Sequence, residues 1–184
     1  SIITFSEPRD VRGTALLTHS KIEPDDDSQW IFLPAVKRVK RISSSNRTGK
    51  FVSSEFSYED LGSEEVADND HIWLEDKPCA HDAALTCAAV ESRPKNKRSG
   101  YSRRVSFIDL DEYRVHRIDF YNRRGDLEKS LQFQDYRQYE GQFWRAHVMV
   151  MDNMQTGKST RLSWGDYSFR KGLTERDFTP QGLP

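Results

Sequence analysis

The chain has little of what usually indicates a membrane span or a protein with a strong overall charge. Its 184 residues include only two cysteines and three methionines. No apolar run approaches the roughly 20 residues that a membrane-spanning helix needs. The formal net charge is −1 although 31% of the residues are charged, so no global field draws the protein to nucleic acid or to an anionic membrane. The length instead suits one domain with a real hydrophobic core.

Residue patterns that enzyme chemistry requires are missing as well. The sequence has no HExxH metal motif, no glycine-rich phosphate loop and no nucleophile at a set spacing from a base. Its serine-rich and aspartate-rich stretches have no second catalytic group at the spacing that a mechanism requires. Their composition is therefore that of loops. We therefore predict a protein that is not an enzyme, with no catalytic residues and no cofactor.

Most of the sequence is typical of short β-strands joined by polar turns. Short links between such runs predict antiparallel neighbours, and hence a mainly β fold with a meander of strands. The runs are Ile2 to Phe5, Thr14 to His19, Gln29 to Leu33, Arg38 to Ile42, His71 to Glu75, Leu85 to Arg93, Arg103 to Asp109, Tyr113 to Tyr121, Leu127 to Gln134, Phe143 to Met151 and Thr160 to Trp164.

Few segments favour a helix or a long loop. Ser57 to Leu61 predicts one short helix capped by a serine, and Thr174 to Asp177 has the spacing of a capping box. Glu23 to Ser28 has loop composition with an acidic tip. Within Leu127 to Gln134 the apolar residues alternate with polar ones, which predicts a strand with one face in water.

A basic hairpin stands out because charge is segregated along the chain. No acidic residue lies between Asp27 and Glu55, and the hairpin carries four closely spaced cations, Lys37, Arg38, Lys40 and Arg41. Such residues on an edge hairpin commonly prevent strand-to-strand association. They could also dock lipid headgroups or an acidic partner surface, or bind nucleic acid with nearby aromatic rings. The sequence does not separate these three interpretations.

The amino-acid sequence around this hairpin resembles that of a known family. The segments WIFLPAVKRVKRI (30–42) and SEFSYEDL (54–61) are similar to the outer-membrane lipoprotein-sorting family related to the periplasmic lipoprotein carrier LolA. The similarity continues through Arg123 to Gly125 and Leu173 to Leu183, and so covers most of the chain. The resemblance implies a curved antiparallel sheet that forms an incomplete, or half, barrel of the LolA/LolB type with few short helices.

The resemblance also implies a function and a location. Residues 1–184 would form a single LolA-like domain of a secreted periplasmic protein, without the signal peptide, N-terminal helix and first strands of the family. That domain would shelter the acyl chains of a lipid or lipoprotein during transfer towards the outer membrane. Partners would be an inner-membrane exporter or an outer-membrane acceptor, with transient membrane contact and no nucleic acid. The alternative is a non-carrying sensor or interaction domain of the same fold, acting in envelope stress or beside an exporter.

An apolar lining for such a hollow can be chosen from strand alternation and aromatic content. Phe143 to Met151 is apolar on both faces, so it is a strand covered on its second face or one whose methionine face lines a hollow. The resemblance favours the hollow. The chosen lining residues are Trp30, Phe32, Phe107, Phe120, Met149, Met151 and Trp164.

The two cysteines, Cys79 and Cys87, flank a plausible hairpin tip. We expect them to form a cross-strand disulfide, which an oxidising compartment would favour. Two free buried thiols are the alternative, since a zinc site with His81 lacks a fourth ligand. A copper site on His147 and the methionines is disfavoured because same-face residues lie roughly 6–7 Å apart along a strand. We therefore predict no metal site.

Overall fold

The computed structural model describes residues 1–21, 27–165 and 167–183. Two compact units are present. The first unit comprises Ser1–Val52, Ser57–Glu65 and Ser168–Pro184, and the second comprises Ser53–Phe56 and Val66–Tyr167. Each unit is built on one antiparallel sheet, and neither sheet closes on itself within the described residues. The mainly β antiparallel fold predicted from the sequence is therefore confirmed.

The first unit contains the short sheet, in which sequential strands lie side by side. Neighbouring strands pair antiparallel throughout, as expected for strands joined by short connections. The basic hairpin forms the last two strands, and Pro34–Val36 makes a 3₁₀ turn that ends on Lys37 in the left-handed conformation. The strands are β1 (Ile2–Thr4), β2 (Ala15–His19), β3 (Ser28–Leu33) and β4 (Arg38–Ile42).

Both faces of the short sheet are covered within its own unit. On one face Leu16 and Ile31 pack with Phe51 and Tyr58. On the other face Ala15 and Leu17 pack with Leu183, and Trp30, Phe32 and Phe178 lie against them. Leu16 and Leu17, which point to opposite faces of β2, are both buried for this reason.

The second unit contains the long sheet, a meander in which each strand pairs with the next one in sequence. Its outermost strands are β5 and β11. Register shifts interrupt the pairing twice between β5 and β6, twice between β7 and β8, and once between β8 and β9. The strands are β5 (Asn69–Cys79), β6 (Asp82–Pro94), β7 (Tyr101–Asp109), β8 (Val115–Asn122), β9 (Leu127–Tyr139), β10 (Phe143–Asn153) and β11 (Ser159–Ser163).

Helical structure in the described residues is limited to short 3₁₀ turns. The capping box predicted at Thr174 is present, and it starts the 3₁₀ turn Glu175–Asp177. The helix predicted at Ser57 to Leu61 is wrong: Ser57 and Asp60 exchange backbone-to-side-chain hydrogen bonds of 2.6 and 3.2 Å, which close a turn, and Ser57 forms a bridge with Lys50 instead.

Much of the loop predicted at Glu23 to Ser28 lies outside the described residues, and Ser28 begins β3. In the part of the chain that the structure describes, no helix has the length and apolar character needed to cross a bilayer.

Candidate functional site

The two faces of the long sheet differ in chemical character. Because side chains alternate along a strand, the cross-strand registers decide which residues share a face. One face, the apolar face, carries Leu131 and Met151, which are directly opposite one another in β9 and β10. The reverse, the polar face, carries Gln132 and Val150, the next opposed pair along the same two strands.

A row of cross-strand neighbours runs across the whole apolar face. Each residue of this apolar row is paired with the next one in the sheet, from the first strand to the last. Only two small polar residues interrupt it, Ser106 on β7 and Thr160 on β11. The apolar row is Trp73, Val90, Ser106, Ile118, Leu131, Met151 and Thr160.

Beside the apolar row lies a second set of apolar side chains. Met149 is opposite Phe133 on one side and Leu162 on the other. All three are half-buried, as are Val90 and Ile118 in the row itself. Apolar side chains of five strands therefore retain accessible surface on one face, which is the kind of surface that an apolar ligand contacts.

One end of the apolar face is covered by the segment 53–56 of the same unit. The Glu55 backbone N–H donates to Thr160 Oγ1 at 3.0 Å, and Asn153 Nδ2 donates to the Glu55 carboxylate at 2.8 Å. The buried Lys129 ammonium donates to the Glu55 carbonyl oxygen at 3.3 Å and lies 5.6 Å from the centre of the Phe120 ring. These contacts satisfy polar groups that would otherwise be buried without partners.

On the polar face, charged groups pair with one another. Asp119 is only 3% exposed, and it accepts hydrogen bonds of 2.8 Å from both Arg117 and Ser130. The hydrogen bond with Asp119 raises the pKa of the Arg117 guanidinium. Gln132 donates to Asp152 at 3.3 Å. The alternation of β9 predicts that this face lies in water, but its Ser130 is buried. The polar network of this face is a poor surface for an acyl chain.

Tyr136, also on the polar face, provides a pH-dependent prediction. Burial raises the pKa of its phenol to about 12, and the hydroxyl donates to the Val115 carbonyl oxygen at 2.6 Å. Because the folded-state pKa lies above the unfolded value of 10, the neutral phenol stabilises the fold below pH 10 and this contribution is lost as the pH rises towards 12. The loss should be about 1–2 kcal/mol after discounting for solvent access.

Denaturant unfolding of the wild type and of Tyr136→Phe across this pH range measures that contribution. The difference in unfolding free energy between the two should shrink as the pH rises. Tyr113→Phe, at a tyrosine that is 76% exposed, is the control and should not change the pH dependence. A difference between wild type and Tyr136→Phe that stays constant with pH would contradict the assignment.

Three of the predicted lining residues share the apolar face, and one lies opposite. Met149 and Met151 are two residues apart on β10, and the registers place Phe120, opposite Lys129, on the same face. Phe107 is opposite Arg117, so it lies on the polar face between two cations. Its ring centre is 5.0 Å from Lys77 Nζ and 4.7 Å from the Arg117 guanidinium.

The other predicted lining residues have different surroundings. Trp30 and Phe32 belong to the short sheet, where they pack in the cluster of Ala15, Leu17 and Leu183. Trp164 follows β11, and its backbone N–H donates to the His147 carbonyl oxygen at 2.9 Å. Four further residues of the apolar face are not among the predicted lining residues, although alternation within β9 places Leu131 and Phe133 together: Val90, Ile118, Phe133 and Leu162.

The four cations proposed for docking lie on the hairpin formed by β3 and β4. All four are exposed. Arg41 differs from the others because its guanidinium donates to Ser28 Oγ at 3.3 Å and lies 5.8 Å from the centre of the Trp30 ring. Lys37, Arg38 and Lys40 are therefore the better candidates for contact with an anionic surface.

A small pocket also lies in the first unit. It encloses about 20 Å³ among mainly polar side chains that include Gln29, Arg47 and Tyr58. This volume is enough for about one water molecule and far below the few hundred Å³ of typical ligand sites. The pocket is therefore not a candidate for an acyl chain.

Comparison with known proteins defines the class of fold. The chain is similar to a LolA superfamily protein from Nitrosomonas europaea at 19% identity and a TM-score of 0.71, over 97% of this chain and 75% of that one. At that identity the likeness concerns the fold alone. The open antiparallel architecture is accordingly similar to the fold of that LolA superfamily protein.

Two further structures and one family model define the family. A domain described as an outer membrane lipoprotein-sorting protein from Vibrio parahaemolyticus is 45% identical, with a TM-score of 0.92 over 99% of this chain and 76% of that chain. A DUF1329 family protein from Desulfovibrio piger is 28% identical, with a TM-score of 0.90 over 100% and 76%. Residues 1–184 match a family model described as "Uncharacterized protein". No curated protein matches.

The chain therefore belongs to the family of the Vibrio lipoprotein-sorting domain. The resemblance predicted from its sequence is confirmed.

Proposed function

We propose that the protein binds the acyl chains of a lipid or lipoprotein on the apolar face of the long sheet and carries them towards the outer membrane. The observation that carries this proposal is the set of half-buried apolar side chains on that face, which retain accessible surface around the buried Leu131 and Met151. They are Val90, Ile118, Phe133, Met149 and Leu162. The description of the Vibrio relative as a lipoprotein-sorting protein supports the same class of cargo.

The physical basis is reversible burial of hydrocarbon. Each methylene removed from water contributes about 0.8 kcal/mol, and the apolar face offers thioether and aromatic side chains that adapt to irregular ligands. No covalent chemistry is needed, so we propose a carrier and not an enzyme. Release then requires an acceptor that competes for the same acyl chains.

The proposed carrier would work in the periplasm, and the exposed cations of the hairpin would meet anionic groups there. Lys37, Arg38 and Lys40 are exposed side by side on the outermost strand and turn of the short sheet. We propose that they contact lipid headgroups or an acidic surface on an exporter or acceptor, because opposite charge speeds encounter and sets orientation. Such contacts would be weakened by salt.

A fluorescent long-chain fatty acid titrated into the delipidated protein tests the proposal. We expect saturable binding with a rise in fluorescence, and competition by unlabelled fatty acid. Native mass spectrometry of protein secreted into a bacterial periplasm should in addition show a bound lipid that organic extraction releases. Absence of both saturable binding and co-purified lipid would refute a carrier.

A second function, that of a non-carrying interaction domain, is supported by a different observation. The outer strand β5 exposes three consecutive large apolar residues, Ile72 at 44%, Trp73 at 63% and Leu74 at 44%. Exposed apolar patches often mark protein interaction sites. An interaction domain would give no saturable acyl binding in the same titration, so one experiment separates the two functions.

A further inference from the structure

The disulfide of the long sheet lies beside a buried histidine and a buried aspartate. Cys79 and Cys87 are bonded to each other across β5 and β6, and both are buried. The two sulfur atoms and a ring nitrogen of His116 all lie within 4.8 Å of one another. His116 is 7% exposed and Asp109 is 0% exposed. Four strands thus bring two cysteines, a histidine and a carboxylate to one buried place.

A β-bulge places His116 there. Arg117 pairs with Phe107 and Val115 pairs with Ile108, so His116 is the extra residue of β8 at this point. Bulges of this kind redirect a side chain. The His116 ring reaches Asp109, with 2.9 Å between Nε2 and the carboxylate Oδ2. Asp109 is itself directly opposite Cys87 in the sheet.

The hydrogen bond between His116 and Asp109 is the arrangement that metal-binding histidines use. Such histidines commonly donate one ring N–H to a carboxylate, which fixes the tautomer and makes the other nitrogen a better ligand. Hydrogen bonds from the Glu112 backbone and the Arg114 side chain hold Asp109 in place.

Reduction of the disulfide would convert this cluster into a ligand set. Zinc–sulfur bonds of about 2.3 Å in a tetrahedral site separate two thiolates by about 3.8 Å, which is close to the contact distance of two unbonded sulfurs. The ring nitrogen of His116 already lies within 4.8 Å of both sulfurs. Two thiolates and an imidazole are ligands that zinc prefers, and a water completes an open site.

We propose that Cys79, Cys87 and His116 form a zinc site whose availability is controlled by the redox state of the Cys79–Cys87 disulfide. Asp109 positions the histidine. The sequence predicts no metal here because only His81 lies near the cysteines along the chain. In the reduced protein the cluster binds one Zn²⁺; in the oxidised protein its sulfur ligands are bonded to each other and it binds none.

The reaction that opens the site is thiol–disulfide exchange with a dithiol. One thiolate of the dithiol attacks a sulfur of the disulfide, which forms a mixed disulfide and releases the first cysteine. The second thiolate of the dithiol then attacks the mixed disulfide and releases the other cysteine. The dithiol loses two electrons and two protons, and Cys79 and Cys87 gain them as thiols. Zinc binding then releases the thiol protons. Access is through the exposed hairpin tip at Ala80–Asp82, directly beside Cys79.

Cobalt and zinc titrations of the purified protein test this site. A phosphine, which is oxidised to the phosphine oxide with an oxygen from water as the disulfide gains two electrons, is used as reductant because it carries no thiol. The reduced protein should bind one Co²⁺ with a thiolate-to-cobalt charge-transfer band and tetrahedral ligand-field bands, and Zn²⁺ should displace it. The oxidised protein should show neither band.

Variants separate the proposed ligands from their neighbours. His116→Gln should weaken metal binding to the reduced protein by at least tenfold, and Asp109→Asn by about 10- to 100-fold. His81→Gln is the matched control: it is an exposed histidine two residues from Cys79 and should bind metal like the wild type. Equal binding by oxidised and reduced protein, or by His116→Gln and wild type, would overturn the proposal.

Circular dichroism of each sample keeps the test decisive if reduction loosens the fold. A reduced protein that loses its β signal should recover that signal on adding zinc, because metal binding then contributes to folding. Failure of zinc to bind or to restore the signal would contradict the site. The acyl-binding titration is independent of this experiment, so either proposal can fail without the other.

Discussion

Asp109→Ala should destabilise the second unit by about 3–5 kcal/mol, because it leaves the largely buried Arg114 guanidinium without its counter-charge. Asp109 is fully buried, and its carboxylate accepts from Arg114 Nε at 2.8 Å, from His116 Nε2 at 2.9 Å and from the Glu112 backbone N–H at 2.7 Å. The Arg114 side chain is only 15% exposed, so water replaces little of the lost interaction. Denaturant unfolding, monitored in the oxidised protein, measures the loss.

The control for this variant is Asp111→Ala, at an exposed aspartate in the same turn. Its effect should stay within about 0.5 kcal/mol. The acid dependence gives a second readout: hydrogen bonds keep the pKa of Asp109 below its unfolded value, so its contribution is present above that value and is lost as the pH falls. Asp109→Ala should therefore lose less stability in acid than the wild type does. Equal losses from the two aspartate variants would contradict the role of Asp109.

Met149→Glu should abolish acyl binding, whereas Val150→Glu should leave it nearly unchanged. The two residues are neighbours in β10, both are half-buried, and they lie on opposite faces of the long sheet. A carboxylate on the apolar face would have to be buried beneath the ligand without a partner, which costs several kcal/mol. Since each 1.4 kcal/mol is a factor of ten, affinity should fall at least about 100-fold.

The comparison uses the fluorescent fatty acid titration, with circular dichroism and thermal unfolding to show that both variants fold. Val150→Glu places its charge beside Gln132 and Arg161, its cross-strand neighbours on the polar face. That setting tolerates a carboxylate better than the apolar face does. Stronger loss of binding in Val150→Glu than in Met149→Glu would assign the ligand to the polar face and reject our choice of site.

The sequence predicts the strands well because their signals are local. Alternation and turn residues mark every strand of both sheets, and the start of β4 at Arg38 and its end at Ile42 are reproduced. Most strands of the long sheet extend further than predicted, as in β9, which continues to Tyr139, whereas β8 begins two residues later than predicted, at Val115. Those extra residues are polar, so composition alone reads them as loop, while pairing with β10 keeps them extended.

The candidate site is only partly predictable because it depends on registers between strands. That Met149 and Met151 share a face follows from alternation within one strand. Whether Phe107 joins them depends on the pairing of β7, β8, β9 and β10 in turn, and here it places Phe107 on the opposite face. The bulge that turns His116 towards Asp109 has no sequence signal in this chain, because neither glycine nor proline marks it.

The two sheets differ in how far apart in the chain their stabilising partners lie. Every strand of the long sheet pairs with its neighbour in sequence, so its contacts form by successive hairpins with small loop-closure costs. The core of the short sheet is completed by Phe178 and Leu183, which come after the whole long sheet in the chain. During synthesis the long sheet can therefore fold first, whereas the core around β2 and β3 is completed only after the last segment has left the ribosome.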